Sequence, residues 1–447
     1  MCSFLVSNEP NQSVLQHANK FIQRRGPDHT SWAITSGITF IHNLLSITGD
    51  FTPQPFVDKE DKIVCVYNGE IYNAFKFSDQ YKSDGQCILP LYKEYGKDFV
   101  RHLDGEYAIC IFDFKNKQII LASDTFLTKP VWYGKSGDKF AIGSYKSSIE
   151  LTGIPNAIRQ KANTCTVFDL NLNKIKEFEI KPFDIKQHKT TYDGWVAAYE
   201  ASIQKRAAKH ISKNIFIGMS SGYDSGSIAC ELNKQSVKFK MYSVTGNENK
   251  EILNERFNIV KQNADIKFLE NCNNDFIEAR KHIFEWVEPY TYEIFSGRSD
   301  YTEHVQLHQD GGANAFSLVC QNAIKENRKI YISGSGADEI ISDYGWNGKG
   351  MTKHSNFGGL FPDNLGEVFP WPSFYGSSQI SYLTKEEMVG GSYGIECRYP
   401  FLDFDLVQEF LWLKPELKNK YYKSVLHYYM KENNFPFKEN EKIGFYY

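Results

Sequence analysis

The apolar pattern of this chain changes period near Pro182, and no other feature narrows the possible folds so much. Upstream, from Ile63 to about Phe178, short runs of β-formers are separated by turn residues. Ile63-Val64-Cys65-Val66-Tyr67 and Tyr107-Ala108-Ile109-Cys110-Ile111-Phe112 are examples. Lys115-Asn116-Lys117-Gln118 and Asn171-Leu172-Asn173-Lys174 read as hairpin turns. Stacked antiparallel sheets with a few covering helices are the expected outcome. Downstream, Val196, Tyr199, Ile203 and Ala207 recur at helical spacing behind a candidate cap at Asp193. Ile215-Phe216-Ile217-Gly218-Met219 then reads as a buried strand, followed by a Ser/Gly loop and a second helix. Strand-like segments at 240–244, 266–269 and 330–332 alternate with helical ones at 252–260 and 276–287, which predicts a parallel sheet wrapped by helices. The expected domains are residues 2–185 and 190–447.

Length and composition agree with two domains. A chain of 447 residues exceeds one ordinary core, and 41% apolar residues suffice for two. The 51 Lys plus Arg nearly balance 54 Asp plus Glu, so no global field draws the protein to nucleic acid or an acidic membrane surface. Nine cysteines, at 2, 65, 87, 110, 165, 230, 272, 320 and 397, are odd in number and form no Cys-x-x-Cys pair. They argue against a zinc cluster or a disulfide framework and fit a reducing cytoplasm. No run of ~18 apolar residues occurs, so neither a membrane span nor a signal peptide is expected.

Cys2 is the most informative single residue, because removal of Met1 puts a thiol and a free α-amino group together. An α-amino group of pKa about 7.7–8.0 can take the thiol proton near neutral pH. Behind Cys2 come Arg25-Gly26-Pro27-Asp28, Asn68-Gly69-Glu70-Ile71-Tyr72-Asn73, Ser83-Asp84-Gly85 and Leu103-Asp104-Gly105-Glu106-Tyr107-Ala108. Each alone could be a structural turn. In this order they resemble the class II glutamine amidotransferases, whose N-terminal nucleophile fold is an αββα sandwich. The resemblance implies that Cys2 is the nucleophile and that Asn68 and the Gly69 N–H form the oxyanion hole. It also implies that Asp84 holds the glutamine α-amino group. Such donors suit a developing oxyanion, and a carboxylate suits an ammonium. Leu44 stands where the family commonly has an arginine for the glutamine α-carboxylate, which makes Arg24 or Arg25 the alternative anchor. Asp124-Thr125-Phe126-Leu127-Thr128-Lys129-Pro130 follows the family pattern with Leu127 in place of glycine.

In the second half, Ser220-Ser221-Gly222-Tyr223-Asp224-Ser225 lies between a strand and a helix. Small residues there let backbone N–H groups approach phosphate at a helix N-terminus. The segment resembles the pyrophosphate loop of N-type ATP pyrophosphatases, with Ser221 in place of a glycine; no Walker motif is present. A second loop, Ser333-Gly334-Ser335-Gly336-Ala337-Asp338-Glu339, follows another apolar strand. Two acidic loops suit Mg²⁺. The resemblance implies a Rossmann-like parallel-sheet domain in which Ser220, Ser221, Gly222, Asp224, Ser225, Gly334 and Gly336 bind ATP. Asp224 and Asp338 would carry Mg²⁺. Gly394-Ile395-Glu396-Cys397-Arg398-Tyr399-Pro400-Phe401-Leu402-Asp403 is similar to a segment characteristic of asparagine synthetases, and Lys423 matches the lysine that family places against pyrophosphate. Glu396 and Lys423 are therefore expected to be catalytic. The match ends at Lys442-Ile443-Gly444-Phe445, whereas typical asparagine synthetases continue further, so a more open second site is expected. A homodimer is the assembly the family suggests.

The implied chemistry is hydrolysis of glutamine at Cys2, passage of ammonia through an internal tunnel, and amidation of an acyl-adenylate made from ATP and a carboxylate. Aspartate is the default acceptor. Ser335, where asparagine synthetases usually carry glutamate, predicts instead an acceptor other than free aspartate, with Ser335 lining its pocket. Sugar uronic acids and peptide carboxylates are the alternatives. Leu44, Ser221 and Ser335 also admit a regulatory relative without turnover.

Overall fold

Residues 63–71 and 105–113 are buried along almost their entire length, so both faces of these strands must be covered. In the computed structural model, which describes residues 2–207, 214–246, 248–271, 274–295 and 302–441, they pair antiparallel as inner strands of a six-stranded sheet. Its strand order is Lys174–Glu179, Thr164–Asp169, Gln118–Ser123, Gly105–Asp113, Ile63–Ile71, Phe56–Asp58. A second antiparallel sheet runs Ile158–Arg159, Trp132–Ser136, Lys139–Gly143, Ser3–Ser7, Ile38–Leu44, His29–Thr35. Phe4, Val6 and Phe40 of this sheet pack against Val66, Cys110 and Phe112 of the first, filling the space between. On the other face of the first sheet, Cys65, Tyr67 and Ile109 are covered by Ile88, Leu91 and Phe99. The helix Lys146–Glu150 packs on Trp132–Ser136 and Lys139–Gly143 of the second sheet, and Gln12–Ala18 packs beside that helix. The layering is the αββα sandwich.

The strands beyond Pro182 form one parallel sheet, ordered Ala264–Glu270, Phe239–Thr245, Ile215–Gly218, Ile330–Ile332, Glu396–Arg398. Tyr223–Lys234, Lys250–Val260, Asn274–Trp286 and Gly311–Lys325 are the helices that alternate with them. The chain first builds outward from Ile215–Gly218 on one side, then returns to build on the other. The order therefore reverses between Ile215–Gly218 and Ile330–Ile332, and in open α/β sheets ligands bind at the carboxyl ends of such neighbouring strands.

The chain divides into two compact units, Met1–Pro182 with Gly390–Ile395, and Phe183–Val389 with Glu396–Tyr447. The return of six residues near the C-terminal end to the first unit is a discontinuity that a linear reading does not contain. The helix Asp193–Arg206 is capped by Tyr192, and Asp193 lies in its first turn instead of at the cap. Cys272 and the Lys442-Ile443-Gly444-Phe445 segment lie outside the described residues. Among those described, the cysteines are free thiols, and no helix is long and apolar enough to cross a membrane.

Candidate active site

Cys2 immediately precedes the strand Ser3–Ser7. A period of two puts its side chain on the face of Phe4 and Val6, towards the space between the sheets. Its surroundings are unusually fixed. The Arg25 guanidinium is wholly buried; its Nε donates to the Cys2 carbonyl at 3.1 Å and its Nη1 to the Tyr145 hydroxyl at 2.9 Å. Ser3 Oγ donates to the Ile22 carbonyl at 2.6 Å and accepts from Asn43 Nδ2 at 2.9 Å. Asn43 in turn bonds Asn19 and Thr30. Arg25-Gly26-Pro27-Asp28 thus acts as a clamp. Gly26 lies so close to Asn43 and Leu44 that a Cβ would fall 2.2 Å from the Asn43 carbonyl, and Asp28 accepts from the Ser46 N–H at 2.8 Å. Arg25 is committed to positioning Cys2, which leaves Arg24 as the arginine to test as a carboxylate anchor.

Asn68 is completely buried, and neither its Oδ1 nor its Nδ2 has a hydrogen-bond partner among the described residues. An unpartnered buried amide costs about 1–3 kcal/mol, so its retention demands a reason, and a ligand oxyanion is one. Beside it Gly69 has φ +150°, and a Cβ there would sit 2.0 Å from the Glu106 carbonyl. Asp84 is buried and accepts from the Tyr67 hydroxyl at 2.6 Å and the Ile71 N–H at 2.8 Å. Burial, then the charges of Asp84 and Cys2, push the Tyr67 phenol far up. Tyr67 therefore holds Asp84 in place, a role the sequence reading missed although the residue adjoins Asn68. His42 faces the Tyr67 backbone; burial pushes its imidazole down to about 3, so it is neutral. Leu44 lies two residues beyond His42 on the same face of Ile38–Leu44 and is buried.

In the second unit, both glycine-rich loops leave the carboxyl ends of the two strands at which the sheet order reverses. Ser220 and Ser225 pair through their hydroxyls at 2.9 Å, and the Gly222 N–H donates to Ser220 Oγ at 3.1 Å. The Ser221 N–H and hydroxyl both donate to Glu248, at 2.6 and 2.5 Å. From below, buried Arg256 donates to the Ser220 and Gly222 carbonyls at 2.6 and 3.0 Å. Burial lowers its guanidinium to about 10, still charged at neutral pH. The loops touch: a Cβ on Gly334 would sit 3.0 Å from the Asp224 Cβ, and one on Gly336, at φ +96°, 2.4 Å from Leu402.

Lys423 unites these loops. Its Nζ lies 2.5 Å from Asp224 and 2.8 Å from Asp338, and the Tyr422 hydroxyl donates to Asp338 at 3.1 Å. Burial disfavours the ammonium, but the two carboxylates outweigh it and hold the Lys423 pKa above its ordinary value. The residue caps the helix Ser424–Glu432 with φ +48°, a left-handed conformation that costs a non-glycine residue about 1–2 kcal/mol. Glu396 is not brought here. It starts the strand Glu396–Arg398, opposite Ile330 at the amino end of its neighbour, and its buried carboxylate is held by Arg398 at 2.7 Å. Ser335 instead donates to Glu386 at 2.9 Å, and Ser333 donates to the other oxygen of the same carboxylate at 2.6 Å. Glu386, 51 residues beyond Ser335, carries no signal that a motif would reveal.

Residues 1–179 match the family described as the glutamine amidotransferase domain. A Methanocaldococcus jannaschii protein assigned as asparagine synthetase (glutamine-hydrolysing) 1 is 25% identical over 85% of this chain and 70% of its own length. An Arabidopsis thaliana asparagine synthetase (glutamine-hydrolysing) 2 is 21% identical over 94% and 72% respectively. Both alignments therefore run through the two units. The chain thus carries a glutamine amidotransferase domain and is similar, over most of its length, to glutamine-hydrolysing asparagine synthetases. Against that family's pattern, Leu44 replaces an arginine with a buried apolar side chain. Ser335 replaces a glutamate, but the loop does not lack a carboxylate, because Glu386 reaches it from the helix Ser377–Ser392. The premise for a changed acceptor is thereby removed.

Proposed function

We propose that this protein is a glutamine-dependent amidotransferase that adenylates a carboxylate and converts it to an amide. Aspartate is the acceptor the relatives favour. With Met1 removed, the α-amino group of Cys2 takes the thiol proton, and the thiolate attacks the glutamine carboxamide. Ammonia leaves, and water releases glutamate from the thioester. The Asn68 amide and the Gly69 N–H stabilise the oxyanion of each tetrahedral intermediate, and Asp84 pairs with the substrate ammonium. At the second site, the Ser220–Ser225 loop and Lys423 hold the phosphates of ATP while the acceptor carboxylate displaces pyrophosphate. Asp224 and Asp338 fit Mg²⁺, which takes one or two carboxylates together with phosphate oxygens. That ion would neutralise phosphate charge. The buried thiols suit a reducing compartment, and we read the protein as cytoplasmic.

The adenylation reading rests above all on Lys423, which gathers Asp224 and Asp338 from distant segments onto one ammonium at the reversal point of the sheet. Two paired variants test it, with AMP, pyrophosphate and asparagine as readouts. Cys2→Ala should abolish synthesis from glutamine and leave synthesis from ammonium chloride largely intact. Asp338→Ala should abolish AMP formation from either nitrogen source. Full glutamine use by the first variant, or undiminished AMP formation by the second, refutes the corresponding assignment.

A further inference from the structure

The carboxylates around the Ser333–Glu339 loop divide sharply by what holds them. Asp338 is bound by Lys423 and Tyr422. Glu339 accepts from the Tyr344 hydroxyl and the Gly336 N–H. Glu396 is locked by Arg398. Glu386 differs: it is half-buried, forms no ion pair among the described residues, and accepts one serine hydroxyl on each oxygen. An ionised carboxylate has about four lone-pair sites, so both oxygens retain capacity for a further donor. The two serines flank Gly334, whose backbone lies against Asp224. Glu386 therefore borders the phosphate-binding cluster across the width of a single loop.

We infer that Glu386 accepts the proton released when a nitrogen nucleophile attacks the acyl-adenylate, with Ser333 and Ser335 positioning its carboxylate. This rests on the adenylation reading above. The nitrogen lone pair of ammonia forms the C–N bond while the carbonyl π pair moves onto oxygen, and one N–H proton passes to Glu386. Collapse of the intermediate restores the C=O bond and breaks the C–O bond to AMP, whose phosphate oxygen leaves with the electron pair. Glu386 then returns the proton to water. The sum is acyl-adenylate plus ammonia giving amide, AMP and a proton.

The environment suits such a base. Burial, opposed by the two serine donors, pushes the Glu386 carboxyl up to about 7, close to the pH at which a base both accepts protons and is unprotonated. Lys385 and Glu387 flank it on its own helix. Cys320, Tyr331, Cys397 and Tyr399 face it from the neighbouring elements. Burial holds Cys320, Tyr331 and Tyr399 neutral.

The test separates the half-reactions in the full chain. Aspartate-dependent exchange of labelled pyrophosphate into ATP reports adenylation; asparagine formation, normalised to free ammonia, reports amidation. Glu386→Gln should lower amidation by roughly 10²–10⁴-fold, the usual contribution of a positioned general base, while exchange stays within a few-fold of the parent. Ser335→Ala removes a donor to the charged carboxylate and should move the acid limb of the amidation pH profile to higher pH, with activity recovered above it. Unreduced amidation by Glu386→Gln, loss of exchange in that variant, or an unmoved acid limb in Ser335→Ala overturns the role of Glu386. Absence of exchange in the parent protein overturns the adenylation reading and this inference together.

Discussion

Gly69 shows how little freedom the first site allows. At φ +150°, and with the Glu106 carbonyl where a Cβ would be, no other residue fits without moving the neighbouring strand. Gly69→Ala should destabilise the protein by about 1–3 kcal/mol and reduce glutamine hydrolysis more than ammonia-dependent synthesis. Urea denaturation and parallel assays check this, and an unchanged midpoint would show that the strand yields. Lys418 poses the opposite problem, a buried ammonium that no carboxylate pairs among the described residues. It donates to Gln187 Oε1 and the Leu411 carbonyl and lies over the Phe361 and Phe410 rings. Burial lowers its pKa to about 7, against about 10.4 in an unfolded chain. Between those values the unfolded state holds the extra proton, so this residue's contribution to stability rises with pH. It is lost as pH falls through the same window. Subtracting the stability curve of Lys418→Met from that of the parent should give a difference rising from about pH 7 to about 10. A flat difference would mean that the ammonium stays charged.

At the scale of elements, the clamp around Arg25 is the clearest case of a motif that works through geometry. Its fork spans the Cys2 carbonyl and the Tyr145 hydroxyl, a pairing that a single lysine nitrogen cannot reproduce. Arg25→Lys should cut the kcat for glutamine hydrolysis by about tenfold or more, a loss of about 1.4 kcal/mol in transition-state stabilisation. Ammonia-dependent synthesis should be spared, and an unaltered kcat would remove Arg25 from the positioning of Cys2. This clamp also marks the limit of what sequence discloses. The change of period at Pro182, the strand Ile330–Ile332 and the two Ser/Gly loops that follow strands were legible because each carries a local signature. The strands Ser3–Ser7 and Ile38–Leu44 were not, since Ser3, Ser7, His42 and Asn43 break the apolar alternation. Ser3, Ser7 and Asn43 are buried because distant partners satisfy them, as Asn43 does for Ser3. Glu386 stayed invisible for the same reason: Lys385-Glu386-Glu387 reads as a solvated helix turn until the fold lays it against Ser335.

For the molecule as a whole, chain order and spatial order part company at Gly390–Ile395, which belong to the unit that contains Cys2. Gly391 is where this matters. A Cβ there would sit 2.9 Å from both Cγ and Nη1 of Arg25 and 3.0 Å from the Tyr145 hydroxyl. These are the atoms that relay support to the Cys2 carbonyl. A β-branched side chain can be accommodated only by displacing the guanidinium, because the Gly391 Cα is fixed near the end of the helix Ser377–Ser392. Gly391→Val should therefore impair glutamine hydrolysis by about tenfold or more, although it lies hundreds of residues from the nucleophile in sequence. Arg25 would lose its bond to Cys2 while Asn68, Gly69 and Asp84 keep their places, so kcat should fall further than KM rises. Glutamate release under saturating glutamine measures the first quantity and its concentration dependence the second. Pyrophosphate exchange, which needs none of these residues, serves as the internal control for folding. Glutamine hydrolysis at the parental rate, with exchange intact, would show that Arg25 holds Cys2 without needing the space that Gly391 leaves.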